Sequence, residues 1–306
     1  MPPEKVKVSS PDYPHLARLC VQASVTDAAC KPPAGLYLVA TPIGHLGDIS
    51  LRALVTLSHA DIIACEDTRN SGVLLRAFGI DRPTLSLHDH NEEARQEEIL
   101  GRIAKGDVVA VISDAGMPAI ADPGFKLVRA CHAAGQQVVV IPGANAAVTA
   151  MAGSGLATDA FHFAGFLPPK SAARRKDLTM LKQIAATLIF YESPSRLAAS
   201  LADMVASLGG DRSAAVAREL TKFYEETRRG TLAELAAHYA THDVKGEIVI
   251  LVGRGDGEEN YDIDALLTER LQKLSVRDAV AEIASLTGGN KKEIYARALA
   301  LSDGKK

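Results

Sequence analysis

The run Asp107–Ser113, DVVAVIS, constrains this chain most. Its apolar residues do not alternate with polar ones, so a strand built from it is buried on both faces. Strands of that kind belong to mostly parallel sheets with helices on each side. The run ends abruptly in a glycine- and proline-rich loop, Asp114–Gly124 (DAGMPAIADPG). The same succession occurs twice more. GLYLVA (Gly35–Ala40) leads into TPIGHLGD (Thr41–Asp48), and QVVVI (Gln137–Ile141) leads into PGANA (Pro142–Ala146). Glycine lets a backbone approach a ligand, and proline fixes the turn. In open α/β sheets ligands bind beyond the carboxyl ends of the strands. Three such loops predict a cleft lined by backbone N–H and C=O groups.

The rest of the chain continues the alternation. Ile62–Cys65 and Thr84–Leu87 read as strands. Ile49–Ser58 (capped by Asp48), Asn91–Lys105, Asp122–Ala134 and Ala144–Met151 read as helices. Gly153–Thr158 reads as a linker to a second alternating region. There the predicted strands are Phe161–Phe166, Thr187–Glu192, Ala214–Arg218, Phe223–Gly230 and Glu247–Val252. The predicted helices are Ala172–Ile184, Pro194–Leu208 and Leu232–Tyr239. Only a few residues separate the third and fourth of these strands, which predicts an antiparallel hairpin and a mixed sheet. GRGDGEEN (Gly253–Asn260) is a polar linker. After it, Ile263–Leu274, Val276–Leu286 and Lys291–Leu301 form a small helix-turn-helix-like bundle, with Ser275 and Asn290 as caps. Residues 1–34 hold Pro2, Pro3, Pro11, Pro14, Pro32 and Pro33 without a sustained period and read as a loose arm, with a weak helical stretch near His15–Val21. The expected organisation is therefore an arm (1–34), two α/β domains (35–153 and 159–253) and a helical domain (261–303).

Composition narrows the function classes. The 306 residues carry 34 Lys+Arg against 37 Asp+Glu, a formal charge of −3, so any contact with nucleic acid rests on local patches. Cys20, Cys30, Cys65 and Cys131 form no CxxC pair, and no histidine stands at zinc-finger spacing, so no metal site is expected. No apolar run reaches membrane-spanning length, and the N-terminus lacks a signal-peptide core, which points to the cytoplasm. There is no GxxxxGK[ST] loop, the GxxG of Gly44–Gly47 lacks its lysine, and Gly153-Ser-Gly155 follows a helix rather than a strand. These absences argue against a nucleotide hydrolase and an ordinary dinucleotide enzyme.

Six segments, in order, carry a resemblance: TPIGHLGDIS (Thr41–Ser50), CEDTRNSGVLL (Cys65–Leu75), SDAGMPAIADPG (Ser113–Gly124), IPGANA (Ile141–Ala146), YESPSRL (Tyr191–Leu197) and ARELTKFYEE (Ala217–Glu226). Together they resemble the bacterial 16S ribosomal RNA cytidine 2′-O-methyltransferase family, within the tetrapyrrole-methylase-like superfamily. His45 stands where that family usually has Asn, and Ser195 where it usually has His. The resemblance implies a two-domain tetrapyrrole-methylase-like α/β fold with a small C-terminal helical domain. It also implies a homodimer, S-adenosylmethionine as cofactor, and 16S rRNA or the small ribosomal subunit as partner. Carried over by position, the cofactor site uses Pro42, Gly44, Asp114, Ala115, Gly116, Ile120, Ala121 and Pro142, with Phe166, Leu220 and Gly246 from the second domain.

The acceptor side is less defined. Glu66, Asp67, His88, Asp89, His90 and Glu219 are candidate proton acceptors, and Glu66, Asp67 and Arg69, just past a strand, form the favoured set. A local salt bridge is the plainer explanation of Asp67 and Arg69. Two basic clusters are candidate RNA contacts: Lys170, Arg174, Arg175 and Lys176, and Lys291, Lys292 and Arg297. A tetrapyrrole-type methyltransferase and a non-catalytic RNA-binding assembly factor are the competing expectations.

Overall fold

The computed structural model describes residues 12–88, 91–255, 263–287 and 290–303. Its first sheet is parallel throughout, in the order β3-β2-β4-β1-β5. The strands are β1 (Gly35–Val39), β2 (Ile62–Cys65), β3 (Thr84–Ser86), β4 (Val108–Ile112) and β5 (Val138–Ile141). β1, β2 and β4 are buried at every position, as their unbroken apolar sequence requires.

Alternate residues of these strands supply two separate cores. Tyr37, Val39, Ile63, Cys65, Ala110 and Ile112 pack with helices α1 (Tyr13–Val25), α2 (Leu51–His59) and α3 (Thr68–Ala77). Leu36, Leu38, Ile62, Ala64, Val109 and Val111 face α4 (Glu92–Ala104) and α5 (Phe125–Ala133). The period of two along each strand thus sorts the side chains.

The loose N-terminal arm expected for residues 1–34 is corrected for its described part. Asp12 caps α1 by accepting from the His15 N–H, and Ala17 and Val21 enter the first core. Ser24 Oγ lies 3.1 Å from Ser58 Oγ of α2, and the His59 ring nitrogen Nε2 lies 3.1 Å from the Ser24 carbonyl. The prolines stand at the ends of the helix or outside it, so they do not prevent it. Asp48 does not cap α2; Ser50 does, accepting from the Ala53 N–H. α3 is a helix that the hydrophobic pattern does not predict.

The second sheet has the order β6-β7-β10-β8-β9. It comprises β6 (Phe161–Phe166), β7 (Thr187–Glu192), β8 (Ser213–Arg218), β9 (Glu226–Thr231) and β10 (Ile248–Val252). Only β6 and β7 are parallel; β8 and β9 form the expected antiparallel hairpin. One face packs on α7 (Ser171–Leu181), α8 (Leu197–Leu208) and α9 (Leu232–Tyr239). The other is covered by α6 (Ala146–Ser154), through Ala147, Ala150 and Met151 against Ile189, Ala215, Ala217, Val249 and Leu251. α6 leaves the first sheet and roofs the second, and both sheets belong to one compact unit, Met1–Gly253.

Arg254–Lys306 forms a second unit. Its helices are α10 (Ile263–Arg270), α11 (Val276–Thr287) and α12 (Lys291–Asp303), around Leu267, Val280, Ile283, Ala284, Ile294 and Ala298. Ser275 and Asn290 cap the second and third helices, accepting from the N–H groups of Asp278 and Lys292.

Candidate active site

The carboxyl ends of β1 and β4 are tied together before any ligand is considered. Thr41, just after β1, exchanges two backbone hydrogen bonds with Gly116, after β4: Thr41 N–H to the Gly116 carbonyl at 2.9 Å, and Gly116 N–H to the Thr41 carbonyl at 3.1 Å. Buried Ser113 donates to the same Gly116 carbonyl, and buried Thr41 donates to the Ser113 carbonyl. Gly116 reaches this geometry with φ +91°, in the left-handed region that glycine tolerates. Ala119 and Ala121, further along, hold positive φ of 66° and 59° without being glycine. Such backbone strain persists only where its surroundings fix it, and it concentrates at ligand sites.

Beyond these ends lies a cavity of about 400 Å³. Ile43, Asp114–Met117, Ile120–Asp122, Asn145 and Ala146 line it from the first half. Phe166, Tyr191–Pro194, Leu220 and Gly246–Val249 line it from the second. Eight of the eleven expected cofactor residues therefore converge: Asp114, Ala115, Gly116, Ile120, Ala121, Phe166, Leu220 and Gly246. Pro42, Gly44 and Pro142 are not in the lining. Pro42 is buried, Pro142 is exposed, and Gly44 packs against the side chains of Thr221 and Lys222.

Four carboxylates, Asp114, Asp122, Glu192 and Glu247, stand in this lining, and none of its residues is Lys or Arg. Asn70 of α3 donates to Asp114 at 2.9 Å. Glu192 is buried; it accepts from the Ser193 N–H, from the Ser200 hydroxyl and from Arg196 Nη2, the last at 3.2 Å. Lys222 bridges Glu219 and Glu247 at 2.9 and 3.1 Å. Apolar contact comes from Ile43, Met117, Ile120, Phe166 and Leu220, with Tyr191 held edge-on to Phe163 and Phe166. Burial pushes the Tyr191 phenol above its ordinary value, and its oxygen accepts from the Ala147 N–H. Sequence reasoning missed Tyr191, Glu192 and Glu247 as lining residues. Their place at the ends of β7 and β10 was the available signal, because those ends meet the first sheet's loops.

The favoured acceptor set divides. Asp67 caps α3 and forms an ion pair with Arg69 at 3.0 Å, which holds its carboxyl below the usual value. The plainer salt-bridge explanation describes it. Glu66 and Arg69 are exposed, next to Asn70 and therefore beside the Asp114 loop. Glu219 is likewise held low, chiefly by Lys222. His88 is half-buried, with its N–H donating to Asn91. Asp89 and His90 lie outside the described residues.

The first basic cluster also divides, and Arg174 is a correction. It is buried, paired with Asp203 at 2.7 Å, and donates to the carbonyls of Pro168 and Pro169. A guanidinium so engaged holds α7 to α8 and is closed to RNA. Lys170, Arg175 and Lys176 are exposed. On α12, Lys291 and Lys292 are exposed, while Arg297 lies 3.9 Å from Asp264.

Comparison with known proteins places these features in a family. Residues 35–236 match the family described as Tetrapyrrole (Corrin/Porphyrin) Methylases, and residues 258–302 match the RsmI C-terminal HTH domain. The ribosomal RNA small subunit methyltransferase I of Mesorhizobium japonicum is 52% identical over 91% of this chain and 96% of its own length. That of Vibrio cholerae is 45% identical over 85% of this chain and 92% of its own. Among solved structures, the uroporphyrin-III C-methyltransferase of Thermus thermophilus complexed with S-adenyl homocysteine shares the fold, with a TM-score of 0.52 and 18% identity over 72% of this chain and 97% of that one.

Proposed function

Because this chain belongs to the ribosomal RNA small subunit methyltransferase I family, we propose that its cavity holds S-adenosylmethionine and that the enzyme methylates the 2′-oxygen of a cytidine in 16S ribosomal RNA. The observation that carries the cofactor reading is the convergence of eight expected cofactor positions on one cavity whose lining holds no lysine or arginine; of its four carboxylates, Glu192 and Glu247 are paired with Arg196 and Lys222 outside the lining. Asp114 and Asp122 give the first-half wall a negative sign, which favours a cationic ligand and opposes a phosphate. S-adenosylmethionine carries a sulfonium and an ammonium, and its adenine suits the apolar walls at Ile120, Phe166 and Leu220. Asp114 suits an ammonium or a ribose hydroxyl, and backbone groups of Ala115, Gly116 and Ala121 suit the remaining polar atoms. Pro42, Gly44 and Pro142 shape the loops that carry the lining residues.

When bound, the cofactor supplies an electrophilic methyl group on a positively charged sulfur. The residues of the chain fix that group in the cavity and bring the acceptor to its mouth, where positioning alone supplies much of the rate. Asp67 and Glu219 are weak proton acceptors, since each carboxylate is stabilised by a cation. Glu66 and Arg69, exposed just past β2, are the substrate-side pair in this reading, with His88 a further candidate acceptor. Lys170, Arg175, Lys176, Lys291 and Lys292 are the RNA phosphate contacts in this reading. Family resemblance further implies a cytoplasmic homodimer; among the described residues no helix is long and apolar enough to cross a membrane.

The test is incubation of the protein with methyl-tritiated S-adenosylmethionine and either small ribosomal subunits or free 16S RNA, followed by nuclease mapping. Label on a cytidine ribose is expected. Label on neither substrate would sink the reading. Alanine variants at Glu66 and Arg69 that keep full transfer would remove that pair from the acceptor side.

A further inference from the structure

The loop joining β8 to β9 carries two adjacent aromatic residues, Phe223 and Tyr224, that are 83% and 67% exposed. Burial would stabilise both, so their exposure needs an explanation. The loop is not loosely held. Glu219 and Thr221 take positive φ of 52° and 65°, conformations that only a well-determined loop keeps in residues other than glycine. The Glu219 N–H donates to the Glu247 carbonyl at 2.9 Å, and the Thr221 N–H to the Glu225 carboxylate at 2.7 Å. The His45 N–H, from the loop after β1, donates to the Thr221 hydroxyl at 3.0 Å. Lys222 clamps Glu219 and Glu247. The aromatic rings meet edge to face, with centroids 4.9 Å apart. Leu220, three residues before Phe223, lines the cavity. The loop that borders the cavity at Leu220 therefore also carries the exposed aromatic pair.

We propose that Phe223 and Tyr224 form a stacking platform for an unpaired base of the RNA substrate, next to the nucleotide being methylated. This rests on the methyltransferase reading above. A donor filling a cavity of about 400 Å³ leaves the acceptor ribose at the rim. To present its 2′-hydroxyl there, the RNA strand must be unstacked locally, and splayed bases are held by aromatic faces. Stacking tolerates any base, so the platform positions the strand without choosing its sequence. The surroundings suit RNA better than a second copy of the chain. The pair is flanked by charged residues: Glu226 is paired with Arg218 and Arg228, and the Glu225 carboxylate is turned back onto its own loop, accepting from the Thr221 N–H.

The experiment compares the full-length wild type with Phe223→Ala, Tyr224→Ala, the double variant and Phe223→Trp. Binding to small ribosomal subunits is read by filter retention, cofactor affinity by calorimetry, and association state by sedimentation. Each alanine variant is expected to bind subunits about ten-fold more weakly, with cofactor affinity and sedimentation unchanged, and Phe223→Trp is expected to keep wild-type binding. A double variant that binds subunits as tightly as the wild type overturns the platform. So does a loss of subunit binding that follows a change in association state, which would assign the pair to a contact between copies. Wild-type protein that transfers no methyl group overturns the methyltransferase reading itself, and is told apart by the absence of any label.

Discussion

A Cβ at Gly246 would collide with the Glu219 carboxylate. That carboxylate is in turn held by the Glu247 N–H at 3.0 Å and by Lys222 at 2.9 Å. Gly246 also has φ +91° and lines the cavity. Gly246→Ala is therefore expected to cost about 1–3 kcal/mol of stability through backbone strain and to weaken cofactor binding. Urea unfolding and calorimetry read the two effects, and an alanine variant as stable as the wild type would refute the steric argument. Arg174 and Arg175 make a sharper contrast, since they are neighbours with opposite surroundings. Removing one partner of the buried Arg174–Asp203 pair strands the other charge, so Arg174→Glu is expected to lose about 3–5 kcal/mol. Arg175→Glu, on the exposed side of α7, is expected to leave the unfolding midpoint in place and to weaken subunit binding. Equal midpoints for the two variants would contradict the burial of Arg174. The sequence could not separate them, because both stand in the same basic run and only the path of α8, which brings Asp203 alongside, decides.

Elements were legible where their periodicity was strong. β1, β2 and β4 are continuous apolar runs, and the ends predicted for them differ from those observed by a residue or so. α3 was missed because its first turn is Thr-Arg-Asn-Ser-Gly, polar and holding a glycine, with apolar residues only from Val73 onward. Its start signal was nonetheless present: Asp67 is a strong N-cap type directly before it. The same residue type in the same place also suggested a functional acid, and a capping carboxylate and a reactive one look alike in sequence. α1 was legible only as a weak helical stretch near His15–Val21, because of the surrounding prolines and its modest apolar stripe. Its contribution is tertiary: Val21 packs against the core that α2 shares with β1 and β2. Val21→Ala is expected to lower stability by about 1–2 kcal/mol, seen as a lower urea midpoint without loss of cooperativity. No change in midpoint would mean that α1 is dispensable to that core.

Across the whole molecule, the buried clusters fall into two sets that share no residue. Those of the sheets end at Val252, and the helical cluster begins at Leu267. The division after Gly253 falls at the start of the polar run Gly253–Asn260, whose residues from 256 on lie outside the described ones, whereas the covering of the second sheet by α6 was not legible. The alanine-rich face of α6 gives no sequence hint of which sheet it will cover. A chain ending at Gly253 keeps every residue of the four sheet cores and every lining residue of the cavity. It is expected to unfold cooperatively at the full-length midpoint and to bind S-adenosylmethionine with full-length affinity. What it loses is the exposed pair Lys291 and Lys292 at the start of α12, where the positive end of the helix dipole adds to their charge. Subunit binding should therefore weaken, and the plot of log affinity against log salt should become shallower by about one for each phosphate contact removed. Truncated protein with the full-length salt slope would confine RNA contact to the first unit. Truncated protein without cofactor affinity would mean that the cavity depends on the helical unit despite their separate cores.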